Sequence, residues 1–304
     1  TEAKIFSITG GGKELVELVL AKKKDLMRKI TLVPIGGLGN RIEAISSVIA
    51  YCHAREIYLE VIWFKDHGLN CDFDNLFMIN KSLKNIEIRN ANIGDLFLRD
   101  NPRRRNFWIP FLFEYILYDK CIYCSKGDFK VQDINPELDT SLDLYKSIFM
   151  VSWGDYWTGY PVFQWLNLNL DVETRIKEIM KCFSENTIGL HIRRTDSLID
   201  TEYSPTELYI NIINKEIEKN NNVNFYLASD SVEEKEQLVS MFGDRIITSW
   251  NIVERNTKEG IIDAFVEMNV LSRTSRLYSG NSSFARMASR MTNIHHIILD
   301  SRTI

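Results

Sequence analysis

The sequence predicts an α/β protein made of two α/β halves, the second of which is a doubly wound parallel sheet. The chain has 304 residues, more than the usual size of one domain, which favours two domains of roughly 150 residues each. Residues 30–64 have the pattern of a strand, a helix and a strand, and five strand-like segments alternate with four helical ones between 187 and 300. Such alternation is typical of parallel strands joined by crossover helices, and the 45% hydrophobic content is sufficient for a core.

The first half begins with a βαβ unit. β-branched and aromatic residues predict one strand in ITLVPI, residues 30–35, and another in IYLEVIWF, residues 57–64. Between them, apolar residues at helical spacing predict a helix over 42–56.

The loop between this first strand and helix, GGLGNR at 36–41, is a candidate ligand site. Its glycines allow the backbone to approach a ligand closely, and the start of the helix offers N–H groups to an anion, so we expect Gly37, Gly39 and Asn40 to bind the ligand. The loop matches a dinucleotide fingerprint only in part, because Ile42 stands where a third glycine is expected and no acid ends the second strand. An NAD-dependent oxidoreductase is therefore an alternative function, not the preferred one.

The remainder of the first half is harder to divide. Residues 1–26 form an N-terminal extension whose place in the fold is left open, and the pattern loosens between 65 and 150. Residues 151–175 show no clear periodicity and mark the predicted junction, which gives an N-terminal domain over 27–165 and a C-terminal domain over 166–304. We expect a small molecule to bind in the cleft between the two domains.

The second half alternates regularly. Strands are predicted at 187–192, 224–229, 245–250, 276–280 and 295–300, and helices at 206–219, 232–242, 260–272 and 283–291. Parallel sheets of this kind bind ligands at the carboxyl ends of their strands. Three polar clusters, HIRR, SDS and SGNSS, stand at those ends and form the predicted site.

The first cluster predicts an anion site. The guanidinium of Arg193 offers a rigid fork of donors that suits a diphosphate. Because side chains alternate along an extended segment, His191 shares the face of Arg193, whereas Arg194 points to the other face and pairs with Asp196 or another acid.

Each of the other two clusters has two interpretations. Ser282 and Ser283 open a helix whose hydroxyls and N–H groups can hold phosphate oxygens, or they act only as helix caps. Asp230 can accept paired donors from a purine or a ribose, or it caps the helix that follows.

Taken in order, HIRRTD, YLASDS and LSRTSRLYSGNSSFARMA resemble the three shared motifs of the fucosyltransferase superfamily, which includes α1,6-, nodulation-factor, α1,2- and protein O-fucosyltransferases. GGLGNRIEAISSVIAYCHA is similar to the glycine loop and first helix of many bacterial members. The resemblance covers residues 30–60 and 187–300. It implies a GT-B architecture, in which two Rossmann-like domains face a cleft and the C-terminal one holds most of the GDP-fucose.

The resemblance also implies roles for single residues. In the α1,6 enzymes the motif histidine and an acid contact guanine, the first arginine binds the diphosphate and the second is also needed; these positions are His191, Glu267, Arg193 and Arg194 here. Glu267 stands where aspartate is usual, and Ser231 replaces a second aspartate often seen. These two departures leave open an alternative function, a sugar- or nucleotide-binding protein of the same fold with altered catalysis.

The implied reaction is an inverting transfer of fucose from GDP-fucose to a glycan hydroxyl in glycan biosynthesis, with no metal and no other cofactor. Arg193 and the hydroxyls of Ser282 and Ser283 would stabilise charge on the leaving β-phosphate. Glu43, just after the glycine loop, and Asp155, in WGDYW, are the candidate bases.

Composition limits the partners and the compartment. Lys and Arg number 37 against 41 Asp and Glu, and this net charge of −4 argues against a nucleic-acid partner. Five cysteines without regular spacing, the lack of a long apolar run and the lack of a signal pattern predict a cytoplasmic protein without a transmembrane segment. The arginine run at 103–105 leaves peripheral contact with a membrane surface as an open alternative.

Overall fold

The computed structural model describes residues 27–66, 68–80, 83–99, 109–123, 139–157, 163–195, 202–251 and 256–303. The predicted extension at 1–26 and the arginine run at 103–105 lie outside the described residues. The strands are β1 (Lys29–Pro34), β2 (Tyr58–Trp63), β3 (Phe77–Ile79), β4 (Ile86–Asn90), β5 (Lys120–Tyr123), β6 (Ser147–Ser152), β7 (Leu166–Leu168), β8 (Ile188–Ile192), β9 (Phe225–Ser229), β10 (Ile246–Thr248), β11 (Leu277–Ser279) and β12 (His296–Ile298). The α-helices are α1 (Leu38–Ala54), α2 (Ile93–Leu98), α3 (Ile109–Leu117), α4 (Leu170–Met180), α5 (Thr206–Lys219), α6 (Val232–Phe242), α7 (Lys258–Leu271) and α8 (Ser283–Thr292).

The first half is built on a parallel sheet with the strand order β4-β2-β1-β6-β5. The central strand β1 is buried on both faces from residue 30 to residue 34, and its residue Ile30 aligns with Leu59 of β2 and Ile148 of β6. The helix α1 begins at Leu38, four residues before the predicted start, so Gly39 and Asn40 lie in its first turn and not in a loop.

The second half is a parallel sheet with the order β10-β9-β8-β11-β12. The chain runs outward from β8 to β10 and then returns to the other side of β8 with β11 and β12. The order therefore reverses between β8 and β11, and this reversal is the switch point at which a doubly wound sheet binds its ligand. The predicted α/β fold class with a doubly wound C-terminal sheet is confirmed.

The two halves share contacts and part of one core. The short strand β7 follows the predicted boundary at 165 but pairs antiparallel with β3 of the first half. The ring of Phe77 on β3 lies 4.7 Å from that of Phe265 on α7, measured between centroids. The division at 165/166 stays a prediction, and β7 contacts both sides of it. Within the described residues, no helix combines the length and hydrophobicity needed to cross a bilayer.

Candidate active site

A cleft of about 380 Å³ lies at the carboxyl ends of β8 and β9, against the start of α1. This volume falls within the ~300–1,000 Å³ usual for small-molecule sites. The described residues that line it are Gly37, Leu38, Gly39, Asn40, Gly68, His191, Arg193, Thr195, Ser229, Asp230, Ile261, Ala264, Glu267, Ser283 and Phe284. Eight of the twelve predicted site residues are in this set, and Arg194, Ser282, Glu43 and Asp155 are not.

The anion-binding features meet at the switch point. Arg193 follows β8, and Ser283 is the first residue of α8, which follows β11. Strands β8 and β11 are hydrogen-bonded neighbours, with His191 opposite Ser279, so the two loops that follow them reach the same cleft. The positive end of the helix dipole and the guanidinium of Arg193 together favour an anion there.

The backbone after Arg193 is held by Asp230. Its Oδ1 accepts the N–H of Arg194 at 2.7 Å, and its Oδ2 accepts the N–H and the hydroxyl of Thr195 at 3.2 and 2.7 Å. Asp230 does not cap the next helix, because Ser231 does so through its Oγ, which accepts the N–H of Glu234. The serine in place of a second aspartate therefore has a structural task.

Arg194 points away from the cleft, as predicted. Its Nε donates to Oε1 of Glu234 at 2.7 Å, and its Nη2 donates to the hydroxyl of Thr206 at 3.3 Å. Glu234 on α6 is thus an acid that pairs with Arg194, and Asp196 lies outside the described residues. The geometry assigns Arg194 to holding the loop in place beside Arg193.

The glycine loop reaches the cleft with its backbone. Gly36 has a φ of +91°, in the region that favours glycine, and a Cβ there would lie 2.9 Å from Nδ2 of Asn40. A Cβ on Gly39 would lie 3.2 Å from the carbonyl oxygen of Ser283, so the absence of a side chain permits close approach between α1 and α8.

Arg41, for which no sequence pattern indicated a role, fixes this loop. It is fully buried, and its guanidinium donates to the carbonyl of Gly36 at 2.9 Å, to the carbonyl of Phe64 and to Oδ2 of Asp66 at 2.7 Å. Asp66 in turn accepts the N–H of the cleft residue Gly68 at 2.8 Å. The arginine therefore ties the loops after β1 and β2 together.

Glu267 forms part of the cleft wall, where burial dominates its chemistry. The residue is 5% exposed, its Oε1 has no hydrogen-bond partner among the described residues, and Nζ of Lys235 lies 3.7 Å from that oxygen. Burial raises the pKa of Glu267 to about 7, although the lysine opposes this increase. The side chain therefore titrates in the neutral range.

An aromatic pair forms another side of the cleft. The imidazole of His191 stacks on the ring of Phe284, with centroids 5.0 Å apart and planes inclined by 18°. No sequence pattern indicated a site role for Phe284, which directly follows Ser283 in the SSFAR segment. Ser282, predicted as a phosphate ligand, is buried, and its Oγ caps α8 by accepting the N–H of Phe284 at 3.2 Å. The capping interpretation is correct for this serine.

The two candidate bases lie together but beside the cleft. Oε1 of Glu43 accepts from Nε of Arg286 at 3.3 Å and from Nη1 of Arg290 at 3.2 Å, and the same Nη1 donates to Oδ2 of Asp155 at 2.7 Å. Burial raises the pKa of Glu43. These contacts make an ion-pair network between α1, the loop after β6, and α8.

The described residues contain no group of three or more His, Cys, Asp or Glu side chains arranged to hold a metal ion. The predicted metal independence stays a prediction.

Several solved fucosyltransferases share this fold. NodZ α-1,6-fucosyltransferase soaked with GDP-fucose matches with a TM-score of 0.56 and 15% identity, covering 87% of this chain and 92% of that chain; NodZ has also been solved from Bradyrhizobium. POFUT1 in complex with GDP-fucose matches with a TM-score of 0.55 and 12% identity, over 90% of this chain and 97% of that one. A mutant of Arabidopsis thaliana FUT1 in complex with GDP matches with a TM-score of 0.55 and 16% identity, covering 95% of this chain and 75% of that chain.

No family model matches the chain, and no curated protein matches its sequence. At the identities of the structural matches, the likeness establishes the fold. The predicted GT-B architecture and the resemblance to fucosyltransferases are confirmed at that level.

Proposed function

We propose that this protein is an inverting fucosyltransferase that transfers fucose from GDP-fucose to a glycan hydroxyl without a metal ion. The observation that carries the proposal is the convergence, at the switch point of the C-terminal sheet, of Arg193, the N-terminus of α8 at Ser283 and the glycine turn at Gly37 and Gly39. Fucosyltransferases solved with GDP or GDP-fucose share the fold that creates this convergence.

The donor is expected to lie with its diphosphate between Arg193 and Ser283 and its base toward Glu267 and His191. A carboxylate only accepts hydrogen bonds, and guanine presents adjacent N–H donors at N1 and at its 2-amino group. Asp230 has both oxygens engaged by the backbone of the Arg193 loop, so we assign it to support of that loop and not to the ribose.

The chemistry follows from charge. As the bond between C1 of fucose and the β-phosphate oxygen breaks, both electrons go to the phosphate, and its growing charge is stabilised by Arg193 and by the hydroxyl and N–H groups at the start of α8. The sugar carbon gains oxocarbenium character. The acceptor oxygen then forms the new bond on the opposite face, which inverts the configuration at C1.

The acceptor hydroxyl must also lose its proton. Glu43 is the stronger of the two candidate bases, because it lies on α1 one turn beyond the cleft residue Asn40 and burial raises its pKa. Asp155 shares Arg290 with it and would hold that arginine in place.

A screen of nucleotides and nucleotide sugars tests the proposal. We expect GDP and GDP-fucose to raise the melting temperature more than ADP, UDP or NAD, and we expect release of GDP from GDP-fucose in the presence of a glycan acceptor mixture. Stabilisation by NAD and not by GDP would contradict the proposal. Binding of GDP-fucose without turnover on any acceptor would instead indicate a binding protein of the same fold.

A further inference from the structure

A buried lysine and a buried glutamate meet behind the wall of the cleft. Lys235 on α6 is 2% exposed, and its Nζ donates to the carbonyl oxygen of Ser249 at 2.7 Å. The same Nζ lies 3.7 Å from Oε1 of Glu267 on α7. Removing two charges from water is costly, and an apolar pair of similar volume often serves packing as well or better. The pair therefore suggests a task other than stability.

The surroundings of Glu267 disfavour its charge. Besides burial, the carboxylates of Asp230 at the end of β9 and Asp263 on α7 act against its ionisation. Asp263 is itself engaged, because Arg175 of α4 donates to its Oδ1 at 3.1 Å and Asn251 to its Oδ2 at 3.0 Å. From β9, the buried phenol of Tyr226 also faces this carboxyl. Lys235 is the basic side chain that the structure pairs with Glu267.

We propose that Lys235 is a positioning residue that keeps Glu267 ionised, so that the cleft accepts the paired N–H donors of guanine and discriminates against adenine. The inference rests on the proposed function, since it assigns the base of the donor to the Glu267 side of the cleft. Adenine presents an acceptor at N1 beside its amino group, so a carboxylate facing that edge meets one donor and one repelling lone pair. Protonated Glu267 offers a donor of its own and loses this selectivity.

The free energy needed to ionise Glu267 must therefore come from its interaction with Lys235 or with the ligand. Guanine binds the ionised carboxylate. At low pH the carboxyl must first lose its proton, and this step reduces the net free energy of binding. With a pKa of about 7 in the free protein, the affinity for GDP should fall about tenfold between pH 8 and pH 6. Lys235→Met removes the opposing charge, so the pKa rises further and the fall in affinity moves to higher pH.

Calorimetric titration of GDP and ADP between pH 6 and pH 9 tests the inference. For Lys235→Met we expect GDP binding to weaken about tenfold at pH 7, to recover near pH 9 and to lose part of its preference over ADP. The Glu267→Gln variant has no carboxyl at this position. The pH dependence of its GDP affinity therefore shows the contribution from the phosphate of the ligand. Lys177→Met is the matched control, since Lys177 forms an exposed pair with Glu173 on the same half of the protein.

The double variant Lys235→Met/Glu267→Gln separates positioning from packing. If Lys235 acts through the charge of Glu267, the double variant binds GDP as Glu267→Gln does, and the lysine substitution adds nothing. An equal loss at every pH, or the same loss from Lys235→Met with and without Glu267, would overturn the inference. Should Lys235→Met fail to fold, the test is the release of protons when GDP binds at pH 6.5. Proton release by the wild-type protein but not by Glu267→Gln would support the role of Glu267. Absence of proton release in both proteins would refute the inference. Failure of the wild-type protein to bind GDP would instead reject the proposed function.

Discussion

The two parallel sheets have similar architecture but present different chemistry to the cleft. The first half contributes mostly backbone, through the glycine turn at Gly37 and Gly39. The second half contributes ionisable side chains, among them His191, Arg193 and Glu267. Sheet geometry thus places the site, and the residues at the strand ends decide what each side of the site does.

Two arginines illustrate this difference. Arg41 is buried, and two carbonyl oxygens and the carboxylate of Asp66 accept from its guanidinium, so it serves the fold. Arg193 is partly exposed and lines the cleft. The same residue type is therefore structural in one half and, as we propose, anion-binding in the other.

Removal of the structural arginine should have the largest effect. Arg41→Met leaves Asp66 and two carbonyl groups without their buried donor, and we expect the free energy of unfolding to fall by about 3–5 kcal/mol. Chemical denaturation measures this change. Arg302→Met, which removes a surface ion pair with Asp300, serves as the control and should lower the free energy of unfolding far less than Arg41→Met does. Equal effects of the two substitutions would contradict the assignment.

Glu267→Gln should separate stability from function. The folded-state pKa of Glu267 is raised to about 7 from an ordinary value of 4.5, so the stabilising contribution of its protonated form is complete below 4.5 and is lost as pH rises through 7. We therefore expect the ligand-free variant to be more stable than the wild-type protein by about 3 kcal/mol at pH 8, with the difference vanishing toward pH 4.5. Thermal unfolding across this range checks the sign, and a variant less stable at pH 8 would show that the carboxylate contributes to folding.

Asp230→Asn tests the support of the arginine loop. The amide keeps one acceptor oxygen but replaces the other with a donor, so the N–H groups of Arg194 and Thr195 cannot both be satisfied. We expect GDP to bind about tenfold more weakly, equivalent to about 1.4 kcal/mol. A variant with unchanged affinity would show that the loop keeps its conformation without Asp230.

The smallest effect is expected where the halves meet through partly exposed charges. Arg290→Met removes the contacts to Glu43 and Asp155, and its side chain is 29% exposed, so the loss of stability should be about 1 kcal/mol or less.

If Glu43 is the base, Glu43→Gln lowers kcat at least tenfold while GDP affinity stays unchanged. Steady-state kinetics measures kcat, and calorimetric titration measures the affinity for GDP. A similar kcat for Glu43→Gln and the wild-type protein would exclude Glu43 as the base.

The same contrast explains how far the sequence could predict the structure. In the second half, the helices 206–219 and 232–242 have the predicted limits, because residues that cap or break helices, such as Pro205, Ser231 and Gly243, bound the periodic segments. In the first half, β3 has three residues and its partner β7 lies far along the chain, so neither has a periodicity that a sequence pattern can reveal.

The site was predictable where a rule of topology applies. The carboxyl ends of parallel strands lie at the same edge of a sheet. This geometry brings together three residues that follow such strands, Arg193, Asp230 and Ser283. Lys235 and Arg41 were missed, because a charged residue within a helix normally faces solvent and only the tertiary contacts reveal its burial.

Calorimetric titration of GDP against Arg193→Ala tests the central claim most directly. If the guanidinium of Arg193 holds the diphosphate, affinity falls at least about a hundredfold, roughly 3 kcal/mol, while the melting temperature stays close to that of the wild-type protein. Arg245→Ala, which removes an arginine that bonds to Asn221 and the carbonyl of Val223 away from the cleft, should bind GDP normally. Unchanged GDP affinity in Arg193→Ala would contradict the account.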